Sequence, residues 1–133
     1  MEQKEIEVIL LRQLASYLAM PILIADPEGT LLFYNEPAEQ LMGMRFEETG
    51  ELVMHEWEGI IKMTDEHGTL IPPEARPLIV ALHERRPVHR EMWGQGADGA
   101  WRHVQVTAFP LIGQAGRHLG AGVIFWEVAH LCT

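Results

Sequence analysis

Residues 22–43, ILIADPEGTLLFYNEPAEQLMG, constrain the fold more than any other part of the chain. Residues 22–26 form a short β-type run. Asp26-Pro27-Glu28-Gly29 follows as turn chemistry, because Pro fixes φ and Gly accepts a left-handed backbone. Residues 30–34 are again rich in β-formers, so the two runs are expected to pair as a hairpin. Asn35 then stands where a helix start needs a side-chain acceptor. Pro37 falls in the first turn, and Gly43 suits the position just past the helix end. No Glu or Gln sits three residues after Asn35, so the cap lacks the reciprocal half of a capping box.

Residues 2–18, ahead of this stretch, read as a helix. With about 100° per residue, Ile6, Leu10, Leu14 and Tyr17 form one apolar seam, and Val8, Leu11, Ala15 and Leu18 form another. Together they cover roughly 200°, about twice the stripe that a core-facing helix needs. The polar residues Glu5, Arg12, Gln13 and Ser16 occupy the remainder. Such a helix has two surfaces to touch: one seam suits its own sheet and the other a second copy of the chain. A single deeply buried helix is the alternative.

Residues 46–54 suit a short helix interrupted at Thr49-Gly50, and residues 59–63 a short strand or a turn of helix. Pro72-Pro73 is expected to open a further helix, with Glu74 complementing its positive end. Ala75, Leu78, Ile79 and Leu82 then follow i, i+3, i+4, i+7 and mark its core face. Arg85 and Arg86 suit the negative end, and Pro87 stops the helix. Three β-type runs complete the chain, at 88–93, 101–111 and 119–128, joined by Gly-containing hairpin loops. In the second, Val104, Val106 and Ala108 share an apolar face. His103, Gln105 and Thr107 share the other, which suits the underside of the N-terminal helix or a dimer contact. The last run is apolar on both faces, which only a central strand covered on both sides requires.

The order strand–turn–strand, Asn, short helix, Gly resembles the opening of a PAS domain. The string DEHGTLIPPEARPLIVALHERRPV, residues 65–88, is similar to one group of PAS sensor domains. There an Asp-x-x-Gly-type turn precedes Pro-Pro-Glu, a helical Pro-Leu pair and a Pro-Val strand entry. Members of that group often carry Gly where this chain has Arg86, which tightens the turn sterically. The resemblance covers nearly the whole span from 22 to 128. It implies an α+β fold: a five-stranded antiparallel sheet with helices on one face and an N-terminal cap helix. Residues 1–20 are then the cap and dimerisation helix, and residues 21–133 a single PAS-like domain. Glu127-Val128-Ala129 lies where such domains exit toward a kinase, phosphatase or transcriptional output. A stand-alone module and a module separated from its output partner are both compatible with that exit.

Charge and composition exclude several functions. A formal net charge of −9 opposes a general phosphate-binding surface, so nucleic acid is not an expected partner. One cysteine, Cys132, rules out an internal disulfide framework and fits a reducing cytoplasm. No apolar run approaches the roughly 18 residues of a membrane span. The acidic residues form no paired catalytic motif, and no nucleophile elbow, zinc-protease or phosphate-loop motif occurs, so an enzyme is not expected. His55-Glu56 misses the zinc pattern because position 59 is Gly. Of the seven histidines, His83 sits at the edge of the helix's apolar face. Some PAS domains bind haem through a histidine on this helix, usually earlier along it, where this chain has Glu74, Ala75 and Arg76; a rim histidine bonded to water or backbone is the alternative.

Light-sensing relatives use a cysteine on a helix after the first hairpin, which this chain lacks, so thiol-adduct photochemistry is not expected. A non-covalent flavin stays open, with Trp57, Trp93, Trp101 and Trp126 as stacking candidates and Trp126 better suited to core. PAS domains commonly hold a cavity between helices and sheet. Its lining here is expected to be Leu31, Phe33, Met42, Met63, Leu78, Leu82, Val104, Val106 and Val123, with His83 nearby; the same residues also read as plain core. The expected function is a non-catalytic cytoplasmic sensor. It binds a small ligand or partner, and relays the change through a homodimer to a histidine kinase or other signalling output. The alternatives are a haem or flavin redox sensor, and a ligand-free dimerisation domain.

Overall fold

The computed structural model describes residues 6–128. The expected helix start at Glu2 and Glu5, the exit residue Ala129, His130 and Cys132 lie outside the described residues. The described residues begin with α1 (Ile6–Tyr17), followed by the hairpin β1 (Ile22–Ala25) and β2 (Leu31–Tyr34). Three short helices come next: α2 (Glu36–Met42), α3 (Phe46–Thr49) and α4 (Met54–Ile60). Strand β3 (Lys62–Thr64) and α5 (Pro77–Glu84) precede the long strands β4 (Val88–Gln95), β5 (Trp101–Ile112) and β6 (His118–Glu127).

The strands form one antiparallel sheet in the order β2-β1-β6-β5-β4-β3. This corrects the five-strand expectation: β3 adds a sixth strand at the edge, Met63 pairing with Gly94. A three-residue run is too short to declare a period, and its pairing depends on β4 continuing two residues past Trp93. Strand β6 lies inside the sheet between β1 and β5, as its doubly apolar pattern requires. Gly120 lets β1 and β6 approach: its φ is 130°, and a Cβ there would collide with the carbonyl oxygen of Ala25.

The two faces of the sheet are buried differently. On one, α2, α4 and α5 cover the main core, which includes Leu31, Tyr34, Trp57, Leu78, Met92, Val106 and Phe125. On the other, α1 covers a smaller cluster of Ala15, Ile22 and Ile24, with Leu11, Phe33, Leu111 and Ile124 packed against it. The seam containing Val8 and Ala15 thus lies on the sheet, with Val8 and Ala15 buried. The other seam is open: Ile6, Leu10, Leu14 and Tyr17 are 67%, 56%, 56% and 85% exposed.

Asn35 joins these parts. Its side-chain oxygen accepts from Ala38 N at 3.2 Å, capping α2, and from Ile22 N at 3.1 Å, at the start of β1. Its amide donates to the carbonyls of Ala15 and Met20, both at 2.9 Å. Gly43 ends α2 at φ 71°, where a Cβ would lie 2.7 Å from the Asp98 backbone nitrogen in the β4–β5 turn.

The helix expected to open at Pro72-Pro73 is two pieces. Pro73–Ala75 is a single 3₁₀ turn, and α5 starts afresh at Pro77. Pro77 drives the residue before it out of helical geometry, and Arg76 is accordingly extended at φ −69°, ψ 141°. The strained residue after α5 is Arg85, at φ 53°, rather than the neighbouring Arg86 on which the tight turn was expected to fall.

Candidate functional site

An apolar cavity of about 100 Å³ lies between the main-core face of the sheet and the helices that cover it. Strand alternation supplies its floor: Leu23 from β1, Met92 from β4, Val104 and Val106 from β5, and Val123 and Phe125 from β6. Met42, Trp57 and Leu78 close it from α2, α4 and α5. Met63 and Gly94 border it at the β3–β4 edge.

Of the residues expected to line a cavity, Leu31, Met42, Met63, Leu78, Val104, Val106 and Val123 do so. Phe33 does not, because it faces α1 on the other side of the sheet. Leu31 and Phe33 would share a face in a regular strand, but Ile24 pairs with Phe33 and Ala25 with Leu31, leaving Leu32 as an extra residue. That bulge reverses the alternation between them. Leu82 is buried in the same core without lining the cavity. His83 is exposed near the end of α5. Trp126, expected in the core, is 37% exposed on the α1 side of the sheet, whereas Trp57 is 3% exposed.

Trp57 is held by its indole N–H, which donates to Gly29 O at 2.8 Å. This links α4 to the first hairpin turn. The Arg76 guanidinium lies 5.6 Å from the Trp57 ring centroid, a cation–π arrangement. Arg76 is the one charged side chain among the described residues that is buried, at 6% exposure. Its Nη2 donates to Ile61 O at 3.0 Å, closing the end of α4. Its Nε and Nη1 are buried and have no hydrogen-bond partner among the described residues. An unmet buried donor costs about 1–3 kcal/mol. Burial lowers the Arg76 pKa, against an opposing pull from Glu58.

The second cation on the cavity wall, Arg102, is already engaged. It donates to Leu41 O at 2.9 Å and pairs with Asp98 at 3.1 Å. The Asp98 carboxyl is held below its ordinary pKa chiefly by that Arg102 hydrogen bond. Sequence reasoning missed Arg76, Leu23, Met92 and Phe125 as cavity residues, and gave Trp57 only as a stacking candidate for a flavin. The Arg-Pro dipeptide was the available signal for Arg76: it breaks the helix there and takes residue 76 out of the helical face pattern.

A cavity of about 100 Å³ does not fit a flavin or haem, since cofactor-sized pockets run from about 300 to 1,000 Å³. Among the described residues no group of three or more His, Cys, Asp or Glu is placed to hold a metal ion. No described helix is long and apolar enough to cross a membrane.

A family model described as PAS fold matches residues 16–131. The PAS domain of BvgS from Bordetella pertussis superposes with a TM-score of 0.69 at 19% identity, covering 96% of this chain and 90% of that one. The LOV domain of the blue-light activated histidine kinase EL346 from Erythrobacter litoralis gives a TM-score of 0.63 at 18% identity, covering 85% and 99%. A LOV protein from Rhodobacter sphaeroides gives 0.71 at 16% identity, covering 94% and 69%. No curated protein matches the chain significantly.

Proposed function

The chain belongs to the PAS-fold family, and from that premise we propose that it is a non-catalytic sensor module whose cavity takes a small ligand and whose output runs through a homodimer. The observation that carries this reading is the sharing of strands between cavity and α1. In β1, Leu23 lines the cavity while Ile22 and Ile24 pack with α1. In β6, Val123 and Phe125 line the cavity while Ile124 lies on the α1 side. A change of packing at the cavity therefore acts on the support of α1 with no loop in between. A ligand shifts such a packing only as far as it binds one arrangement better than the other.

The second copy is proposed to meet the open seam of Ile6, Leu10, Leu14 and Tyr17 and the neighbouring outer face of the sheet. Helical spacing makes those four residues one continuous stripe. The output partner is proposed to be a histidine kinase or a comparable signalling protein, as for the Erythrobacter domain, and the setting the cytoplasm.

Light scattering on the full chain tests the dimer. The wild type is expected at twice its chain mass. The double substitution Leu10→Glu, Leu14→Glu is expected to give a monomer with an unchanged circular dichroism spectrum, since both side chains are exposed. A monomeric wild type at micromolar concentration would overturn the homodimer.

A further inference from the structure

We infer that the ligand is a small monocarboxylate, held by Arg76 through its carboxylate and by the cavity wall through a short apolar body. The inference rests on the reading of the cavity as a ligand site. It adds the chemical class of the occupant.

Three observations specify that class. First, Arg76 lines the cavity and is buried, with Nε and Nη1 both unpartnered among the described residues. Each of these donors makes a parallel N–H pair with Nη2, the two-pronged geometry that matches a carboxylate. Burying such a cation with donors unmet is unfavourable, and an anion at either donor, shared with Nη2, lessens the penalty.

Second, the charge available is a single positive one. Arg102 is neutralised by Asp98 and occupied by Leu41 O. A monoanion balances Arg76, whereas a phosphate dianion would leave a net negative charge in an apolar cavity. Third, apart from Arg76, Arg102 and Gln95, the wall is apolar or glycine, including Leu23, Leu78, Val106, Val123 and Phe125. A space of about 100 Å³ is smaller than the roughly 150 Å³ cavity that accommodates benzene. The whole acid, carboxylate carbon included, is therefore about four or five carbons.

Calorimetric titration of the full chain with propionate, butyrate, 3-methylbutyrate and hexanoate, each beside its neutral amide, tests this at constant ionic strength. The acids of intermediate length are expected to bind at least tenfold tighter than their amides. Butyrate is expected to move the Arg76 Nε–H resonance, and butyramide to leave it in place. Arg76→Gln is expected to abolish the preference for acid over amide while still binding the amide.

If amides bind as well as acids, the carboxylate assignment falls and the cavity remains a ligand site. Binding of inorganic phosphate in preference to the acids overturns it in the same way. If neither acids nor amides bind, the ligand-site reading falls with it. The wild-type comparison decides even where Arg76→Gln does not fold, because it needs no variant.

Discussion

Asn35 shows how much one side chain carries. Its position before a Pro-containing helix marks it as a cap, and capping accounts for one of its contacts, that to Ala38 N. The others reach Ile22, Ala15 and Met20, which belong to three further parts of the chain. Removing the side chain leaves buried backbone groups unmet as well as an uncapped helix. Asn35→Ala is therefore expected to lower unfolding free energy by roughly 2–4 kcal/mol. Asn35→Asp separates the roles. It keeps the capping oxygen but loses the amide donor and sets a carboxylate against carbonyl oxygens. Urea denaturation should find it about as destabilised as the alanine variant; a stability near wild type would reduce Asn35 to a helix cap. The cap was legible because it depends on neighbours in sequence. The bridge was not, since its partners are set by how α1 is laid on the sheet.

At the scale of elements, periodicity identified what repeats and missed what interrupts. The two seams of α1 were readable because 3.6-residue spacing places them without any tertiary information. The structure lays one on the sheet, burying Val8 and Ala15 but leaving Leu18 38% exposed, and leaves the other open. The bulge at Leu32 and the break at Arg76 are single-residue events that a repeating pattern averages over. They account for Phe33 being expected on the cavity wall and Arg76 being absent from that expectation. The close approach of β1 and β6 at Gly120 is likewise a single-residue event. Gly120→Ala combines a disfavoured positive φ with a collision against Ala25 O. Hydrogen exchange is expected to show lost protection across the β1–β6 ladder, with the β4–β5 ladder less affected. Uniform protection in the variant would show that the backbone there has room to move.

For the whole molecule, one carboxylate ties elements far apart in the chain and two more order turns, and their titration contributes to the acid sensitivity of the fold. Glu7 joins α1 to the β5–β6 loop, accepting from Gln114 N at 3.3 Å and pairing with Arg117 at 3.4 Å. Asp65 orders the turn after β3, and Asp98 the β4–β5 turn. All three are held below their ordinary pKa: Glu7 and Asp65 chiefly by backbone N–H groups, Asp98 chiefly by Arg102. A depressed native pKa contributes stability that is complete above the ordinary carboxylate value and lost as pH falls through the native one. The melting temperature is therefore expected to be level above about pH 5 and to fall below about pH 4. Asp98→Asn should lessen that fall. An equally steep fall in the variant would place the acid sensitivity elsewhere. The first hairpin, the last three strands and the central place of β6 were visible in advance, because hydrophobic pattern and turn residues determine them. The way Arg102, Asp98 and Arg76 divide the charge around the cavity was not, because it depends on which cations find partners after the chain has closed.

The sheet that carries Leu23 on one side and Ile24 on the other is a partition one backbone thick. Such a wall has no interior in which to absorb a change of volume. If the cavity is the proposed ligand site, substitutions on its far side, such as Ile24→Val or Ile124→Val, are expected to act as adjustments of threshold. On the proposed ligand-site reading, they would alter the concentration at which the cavity fills while touching nothing that enters it. On that reading, sensitivity and selectivity would be written on opposite surfaces of the same strands, each free to vary without rewriting the other.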